Sequence, residues 1–342
     1  MTTREAGEHL RYADLAIVRK KQKGVAVIKY VARRLVLMVG IIFVISVGAF
    51  YLIHLLPGDP ATVILGGGDT PQARAALYKQ LGLNRGIVIQ YFVWLNHVLH
   101  GNLGTSFITD ESVVSTIKSA FPIDVEMIIL SQILAFAFAI PLAMRSAQKP
   151  NGRLDKTASA GSFTLLSIPP FIIIVFLVLI VAVKLKIPNT GPASYVSLGQ
   201  DWVVNLESMV LPAVTLAIGS FVLYYRILRS DLISTLQEEF ITLARSKGIS
   251  RRRIMWRHAF RPSSVALVGT AGVNIGGLIA GGFVVQFLLQ IPGLGFTLID
   301  AINQSDYLLV QGIVLVISVS VVLINFLFDF LITIIDPRIA RD

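Results

Sequence analysis

The chain of 342 residues contains no cysteine. That absence excludes a disulfide scaffold, a thiol nucleophile, a thiolate-bound metal and an iron–sulfur cluster. Charge is scarce too, at 15% of residues, against about 25% in soluble domains. No G-x-x-x-x-G-K-S/T run is present to cradle nucleotide phosphates. There is no H-E-x-x-H pair, and no G-x-S-x-G elbow precedes a helix. What is abundant is apolar: 54% of the residues are hydrophobic, which together with the low charge excludes a disordered chain.

The apolar residues are gathered into six runs: Leu35–Leu56, Ile123–Met144, Ala158–Val183, Met209–Leu228, Val265–Leu289 and Leu308–Ile335. Each approaches or exceeds the roughly 20 residues that a spanning helix requires. The first run is too long for a signal h-region and no small-residue cleavage site follows, so it reads as an uncleaved span. The expected fold is all-α, a polytopic membrane protein of six spans. The expected divisions are a basic extension (1–34), a first span (35–56), an external loop (57–122) and a larger membrane unit (115–336).

Lys and Arg orient the bundle. Nine lie in 1–34, four in 145–157, nine in 226–263 and two in 336–342, a total of 24 on one side against 6 on the other. The side rich in these residues is cytoplasmic, which places both termini in the cytoplasm of a multi-pass plasma-membrane protein. The same asymmetry accounts for the net charge of +10 without nucleic acid as a partner; lipid is the partner that the spans require.

The external loop opens on the turn Pro57-Gly58-Asp59-Pro60, and Gly66-Gly67-Gly68-Asp69 is a second breaker. Ala73, Leu77 and Leu81 recur every four residues, predicting a short amphipathic helix. Ile89, Tyr91, Phe92, Trp94, Leu95 and Leu99 predict a segment lying along the membrane boundary. His97 and His100 could share a helix face, but no third ligand is near, and two polar residues at an interface is the favoured reading. Asp124 and Glu126 stand at the outer mouth of the second span, interfacial or facing a cationic group.

Residues 229–263 read as two helices meeting at a sharp cytoplasmic corner. Leu232, Leu236, Phe240 and Leu243 form one stripe. Gly248 fits the left-handed position after a helix, and Ser250 fits the N-cap of a second short helix, Arg251–Phe260. Arg251, Arg252 and Arg253 occupy the first turn of that helix, where the helix dipole disfavours cations. Two readings account for them: attraction to phosphate headgroups, or an acidic partner surface docking at the corner. The fifth span carries Gly269, Gly272, Gly276, Gly277, Gly281 and Gly282, including the GxxxG pairs Gly272/Gly276 and Gly277/Gly281, which allow close approach between membrane helices. Asn274 on that span needs a polar partner. Asp329 is the acid deep in the last span, a candidate relay, cap or helix–helix contact.

An ordered series of motifs resembles the B-type inner-membrane permease of dipeptide and oligopeptide ABC importers. It comprises YVARRL (Tyr30–Leu35), LLPGDP (Leu55–Pro60), LGLNRGIVIQYFVWL (Leu81–Leu95), GNLGTS (Gly101–Ser106), ITLARSKGISRRRIMWRHAF (Ile241–Phe260), IPGLG (Ile291–Gly295), DAI (Asp300–Ile302), SDY (Ser305–Tyr307) and DPRI (Asp336–Ile339). The chain departs from the family pattern at Asn84-Arg85-Gly86, at Asn102, at Pro262 and Ala266, and at Gln286, where glutamate is usual.

The resemblance implies a type I ABC transmembrane domain. It assigns Glu238, Ala244, Arg245, Lys247, Gly248, Arg257 and His258 to coupling with an ATPase. It implies a non-catalytic subunit that binds no cofactor itself, with ATP and Mg on two cytoplasmic ATPase partners. It further implies a second homologous permease and an extracytoplasmic peptide-binding protein. Peptides are the expected cargo, with nickel complexes or glutathione as the alternative. Gly272, Asn274, Gly276, Gly277, Gly281 and Asp329 are the candidates for the pathway or for helix packing. A self-sufficient secondary transporter would show more intramembrane charge and an inverted repeat.

Overall fold

The computed structural model describes residues 31–51, 70–80, 84–106 and 108–335. The extension up to Tyr30, the Pro57–Pro60 turn, the Gly66–Asp69 breaker, Leu81 and Asp336–Ile339 lie outside the described residues. In chain order the helices are α1 (Val31–Tyr51), α2 (Pro71–Gln80), α3 (Ile87–Leu99), α4 (Val113–Gln148), α5 (Arg153–Leu166), α6 (Pro170–Lys184), α7 (Trp202–Thr235), α8 (Glu239–Ser246), α9 (Arg251–Gly281), α10 (Phe283–Leu289), α11 (Leu294–Asn303) and α12 (Tyr307–Ile335). One isolated antiparallel bridge, Thr105 to Ser112, is the only non-helical pairing among the described residues. The fold class expected from the apolar runs is therefore what the chain adopts.

Helices α1, α4, α7, α9 and α12 are each long and apolar enough to cross a bilayer. The third run, expected as one helix over Ala158–Val183, is two: α5 and α6 meet at 99°. Pro169 and Pro170 cause the break, because a proline ring excludes the residue before it from the α region; Pro169 itself is extended, with ψ 140°. The fifth run also differs from expectation. Its helix ends at Gly281 rather than Leu289, and α10 and α11 form a hairpin bent by 78°. Adjacent glycines at 281 and 282 weaken the helix there, and Gln290 closes α10 in the left-handed region, at φ 53°. At the start of the same helix the expected short element Arg251–Phe260 is continuous with the span. A π-helical turn, Ile254–Ala259, sits one turn before Pro262, where the α ladder loses a donor.

The main core joins α4, α7 and α9. Ala135, Ala139, Ala143 and Ala147 recur every four residues along α4 and are all buried, so the α7 backbone approaches closely. Tyr224, Tyr225, Leu228 and Leu232 of α7 and Leu267 and Ala271 of α9 fill the remainder. Phe136 stacks on Tyr224 at 4.7 Å between ring centroids. At the periphery, α1 is held to α3 by Ser46 and Tyr91, whose hydroxyls are 2.7 Å apart. It is held to α12 by Arg34 and Asp329, an ion pair of 2.7 Å. Asp329 is thus a helix–helix contact.

The two GxxxG pairs behave differently. A Cβ at Gly272 would lie 2.5 Å from Phe328 Cβ, and one at Gly276 would meet Asn325 and Val321 of α12 at 3.2 and 3.3 Å. A Cβ at Gly277 or Gly281 would meet nothing within 4 Å. Only the first pair seats α9 on α12. Gly272→Ala is expected to destabilise the protein by about 1–3 kcal/mol through overpacking, whereas Gly277→Ala changes stability by less than about 0.5 kcal/mol. Thermal unfolding of the two variants in the same detergent measures the difference.

Candidate functional site

The corner expected after α7 is present, and the structure redraws its face. Helix α7 ends at Thr235, and α8 begins only at Glu239. The Leu232–Leu243 stripe is therefore not one helical face: Leu232 is buried, but Phe240 and Leu243 are 45% and 56% exposed. The buried pair on α8 is Ile241 and Ala244, packed with Ile254 of α9 and flanked by Leu236 and Ile249. The break between the helices rotates α8, which puts Phe240 and Leu243 on the outside.

Gly248 closes α8 in a Schellman motif. Its φ is +73°. Gly248 N–H donates to Arg245 O at 2.9 Å and Ile249 N–H to Ala244 O at 3.2 Å, the paired bonds that satisfy the last helical carbonyls. A Cβ at Gly248 would meet nothing within 4 Å, so backbone conformation, not lack of space, favours glycine there. Ser250 precedes α9 in extended conformation but makes no side-chain cap; that part of the expectation fails. Thr235 and Ser263 hydroxyls lie 3.2 Å apart and tie the base of the corner together.

The cations divide into two groups. Arg229 is withdrawn into a bidentate pair with the buried Asp155 of α5, and Arg226 lies over the Phe163 ring at 4.5 Å. Arg245, Lys247, Arg251, Arg252, Arg253, Arg257 and Arg261 are exposed around the corner. Glu238 and Gly248 are exposed with them, Ala244 is buried and His258 is half-buried. Of the residues assigned to coupling, Glu238, Arg245, Lys247, Gly248 and Arg257 are thus exposed, His258 is half-buried, and Ala244 lies in the small core with Ile241 and Ile254.

Behind the corner, in the middle of the bundle, Asn274 meets its polar partners. Its Oδ1 accepts from Ser220 at 2.8 Å and from Tyr224 at 2.9 Å. Tyr224 also reaches Gln132 Oε1 at 2.5 Å, and Gln132 Nε2 donates to Ser220 at 3.3 Å. The periodicity of α4 and α7 gave no signal for this network; only the polar residue in a glycine-rich span did.

At the opposite end, Asp124 is buried, and it is not a free acid. Its Oδ1 accepts from Gln286 Nε2 and its Oδ2 from Leu294 N–H, both at 2.7 Å. Gln286 Oε1 accepts from the N–H groups of Gly295 and Phe296 at 2.8 and 3.1 Å. These two side chains satisfy the unpaired donors at the start of α11. A Cβ at Gly293 would lie 2.6 Å from Gln286 Oε1, and one at Gly295 would lie 2.5 Å from Phe283 Cα, which explains the glycines of the IPGLG run. His100 bonds Asn96 O at 2.7 Å, and no group of three or more His, Cys, Asp or Glu side chains suited to a metal occurs among the described residues.

Comparison with known proteins matches residues 139–341 to the binding-protein-dependent transport system inner membrane component and residues 27–128 to the N-terminal unit of such components. The chain belongs to this family, the membrane permeases of ABC importers. Among its relatives are the nickel import system permease proteins NikB of Staphylococcus aureus strains MRSA252, USA300 and N315. Each is 32% identical over 316 residues, covering 91% of this chain and 92% of the relative. The cargo in the relatives' name is nickel.

Ile241 is completely buried in the small corner core. Ile241→Ala is expected to cost about 2–4 kcal/mol of local stability. Hydrogen exchange over residues 239–250 then accelerates, with the centres of α4 and α7 unchanged.

Proposed function

We propose that the chain forms half of the translocation pathway of an ATP-driven importer of nickel complexes. The observation that supports the cargo is the similarity to nickel permeases along nearly the whole chain. Importers of this family depend on a binding protein to deliver cargo. In our reading a second permease completes the pathway, and two ATPase subunits supply the energy.

The exposed corner suits that role. Gly248 presents bare backbone at a tip ringed by seven exposed cations, a surface fitted to an acidic cleft. Closure of the ATPases around ATP pushes the corner, and the push switches the bundle between inward and outward access by rigid-body movement. Hydrolysis belongs to the partners, and this chain contributes no catalytic residue. The 24-to-6 division of Lys and Arg sets the corner and both termini in the cytoplasm.

Gly248→Asp tests the coupling. Asp tolerates the left-handed region better than most residues, and the added side chain meets nothing within the chain, so the variant inserts normally. With the complete importer in proteoliposomes, ATP-driven nickel uptake is expected to fall by at least about tenfold; uptake at the wild-type rate refutes the docking. Wild-type uptake of a dipeptide without uptake of nickel complexes refutes the cargo. Cysteines introduced at positions 110 and 250 test the orientation. They are expected to react with an impermeant maleimide from opposite sides of the membrane, cleanly because the chain has no cysteine of its own.

A further inference from the structure

A groove between α4 and α7, flanked by Leu165 of α5, has a volume of about 590 Å³. Leu134, Phe138, Pro141 and Arg145 line it from α4, at spacings of four, three and four residues, which is one face of a helix. Ile218 and Phe221 line it from α7. Phe138 is 66% exposed, so the groove opens at the surface of the bundle. Every residue that lines it is apolar except Arg145.

The two ends of the groove differ. Leu134 stands two residues past Gln132, a member of the polar network in the middle of the bundle. Arg145 stands beside Ser146, whose hydroxyl meets that of Tyr225 at 3.3 Å. Arg226 follows Tyr225, so the two arginines lie at about the same depth. The Lys and Arg asymmetry sets that depth at the cytoplasmic boundary. From Leu134 to Arg145 the stripe is about 16 Å long at 1.5 Å per residue. That is the depth of one leaflet, half of a hydrocarbon core about 30 Å thick. The arginines nearby are engaged, Arg229 by Asp155 and Arg226 by the Phe163 ring. Arg145 is exposed and makes no hydrogen bond or ion pair among the described residues.

We propose that the groove holds one anionic phospholipid of the cytoplasmic leaflet, an acyl chain along α4 and α7 and the phosphate on Arg145. An acyl chain brings no donor or acceptor to an apolar lining, whereas an extended polypeptide would leave backbone groups unpaired there. A guanidinium takes a phosphate through two parallel N–H bonds, and basic pockets between spans on the cytoplasmic side suit anionic headgroups. A choline headgroup sets its own cation beside the phosphate, against the charge of Arg145. The inference rests on the orientation of the chain, which the maleimide labelling tests separately, and not on the cargo.

The test places the assembled importer in phosphatidylcholine nanodiscs with a phosphatidylglycerol that carries a diazirine in its acyl chain. Photolysis and peptide mapping then locate the label. Val36 and Val39 of α1, exposed in the same leaflet, report contact with bulk lipid. Labelling over residues 134–142 and 214–221 is expected to exceed labelling there, and to be competed by phosphatidylglycerol rather than by added phosphatidylcholine. Arg145→Gln lowers it about fivefold, the effect of one basic residue facing anionic lipid. Arg145→Lys keeps most of it. Ile218→Trp fills the groove and lowers it with Arg145 intact.

Groove labelling equal to that of α1, or unchanged by Arg145→Gln or by Ile218→Trp, overturns the site. Equal labelling by a phosphatidylcholine that carries the same diazirine overturns the recognition of an anionic headgroup. A benzophenone maleimide on Phe138→Cys is expected to join lipid. Its joining the second permease instead shows a subunit seated on the groove, and that result also overturns the proposal.

Discussion

In the hydrocarbon of a bilayer no water is available to satisfy a polar group, so each must find its partner inside the protein. The contact among Tyr224, Gln132, Ser220 and Asn274 meets that constraint at the junction of α4, α7 and α9. Other features follow from it. The alanine column of α4 brings the backbones near enough for these side chains to meet. The first glycine pair of α9 then turns the opposite face of that helix onto α12. Three helices are thereby given one relative placement, which packing of aliphatic side chains against equally aliphatic lipid would specify only weakly.

The same rule shapes both ends. At one, Asp124 and Gln286 replace water for the amino-terminal donors of α11 and let a hairpin turn back within the bundle. A glutamine at 286 can do this because its amide both donates to the acid and accepts from the backbone; a second ionised carboxylate facing Asp124 would only accept. At the other end the corner leaves its cations in solvent and keeps a separate small core of Ile241, Ala244 and Ile254. The corner is joined to the main core through Met255 and Ala259, and Leu236 packs against both cores.

The helical class, the apolar runs and the left-handed glycine at 248 were legible in the sequence, because each depends on local chemistry: length, hydropathy and φ. The breaks were harder to place. Pro169 and Pro170 stood inside a run that hydropathy treats as continuous, and Gly281-Gly282 stood inside another. The misread stripe at Phe240 and Leu243 came from projecting one helix across residues 236–238, where the chain makes a turn. Which of two glycine pairs packs within the chain, and which groups bond Asp124, depends on residues more than 40 positions away. No local spacing carries that information.

Helix α9 runs unbroken from the arginines of the corner to Gly281, and its Asn274 is held in the middle of the bundle. At 1.5 Å per residue the arm from Arg251 to Asn274 is about 35 Å long and the arm from Asn274 to Gly281 about 10 Å. Met255, Ala259, Leu267 and Ala271 along that length are buried in the main core, so a displacement at the arginines is carried by the same helix directly into the packing of the bundle.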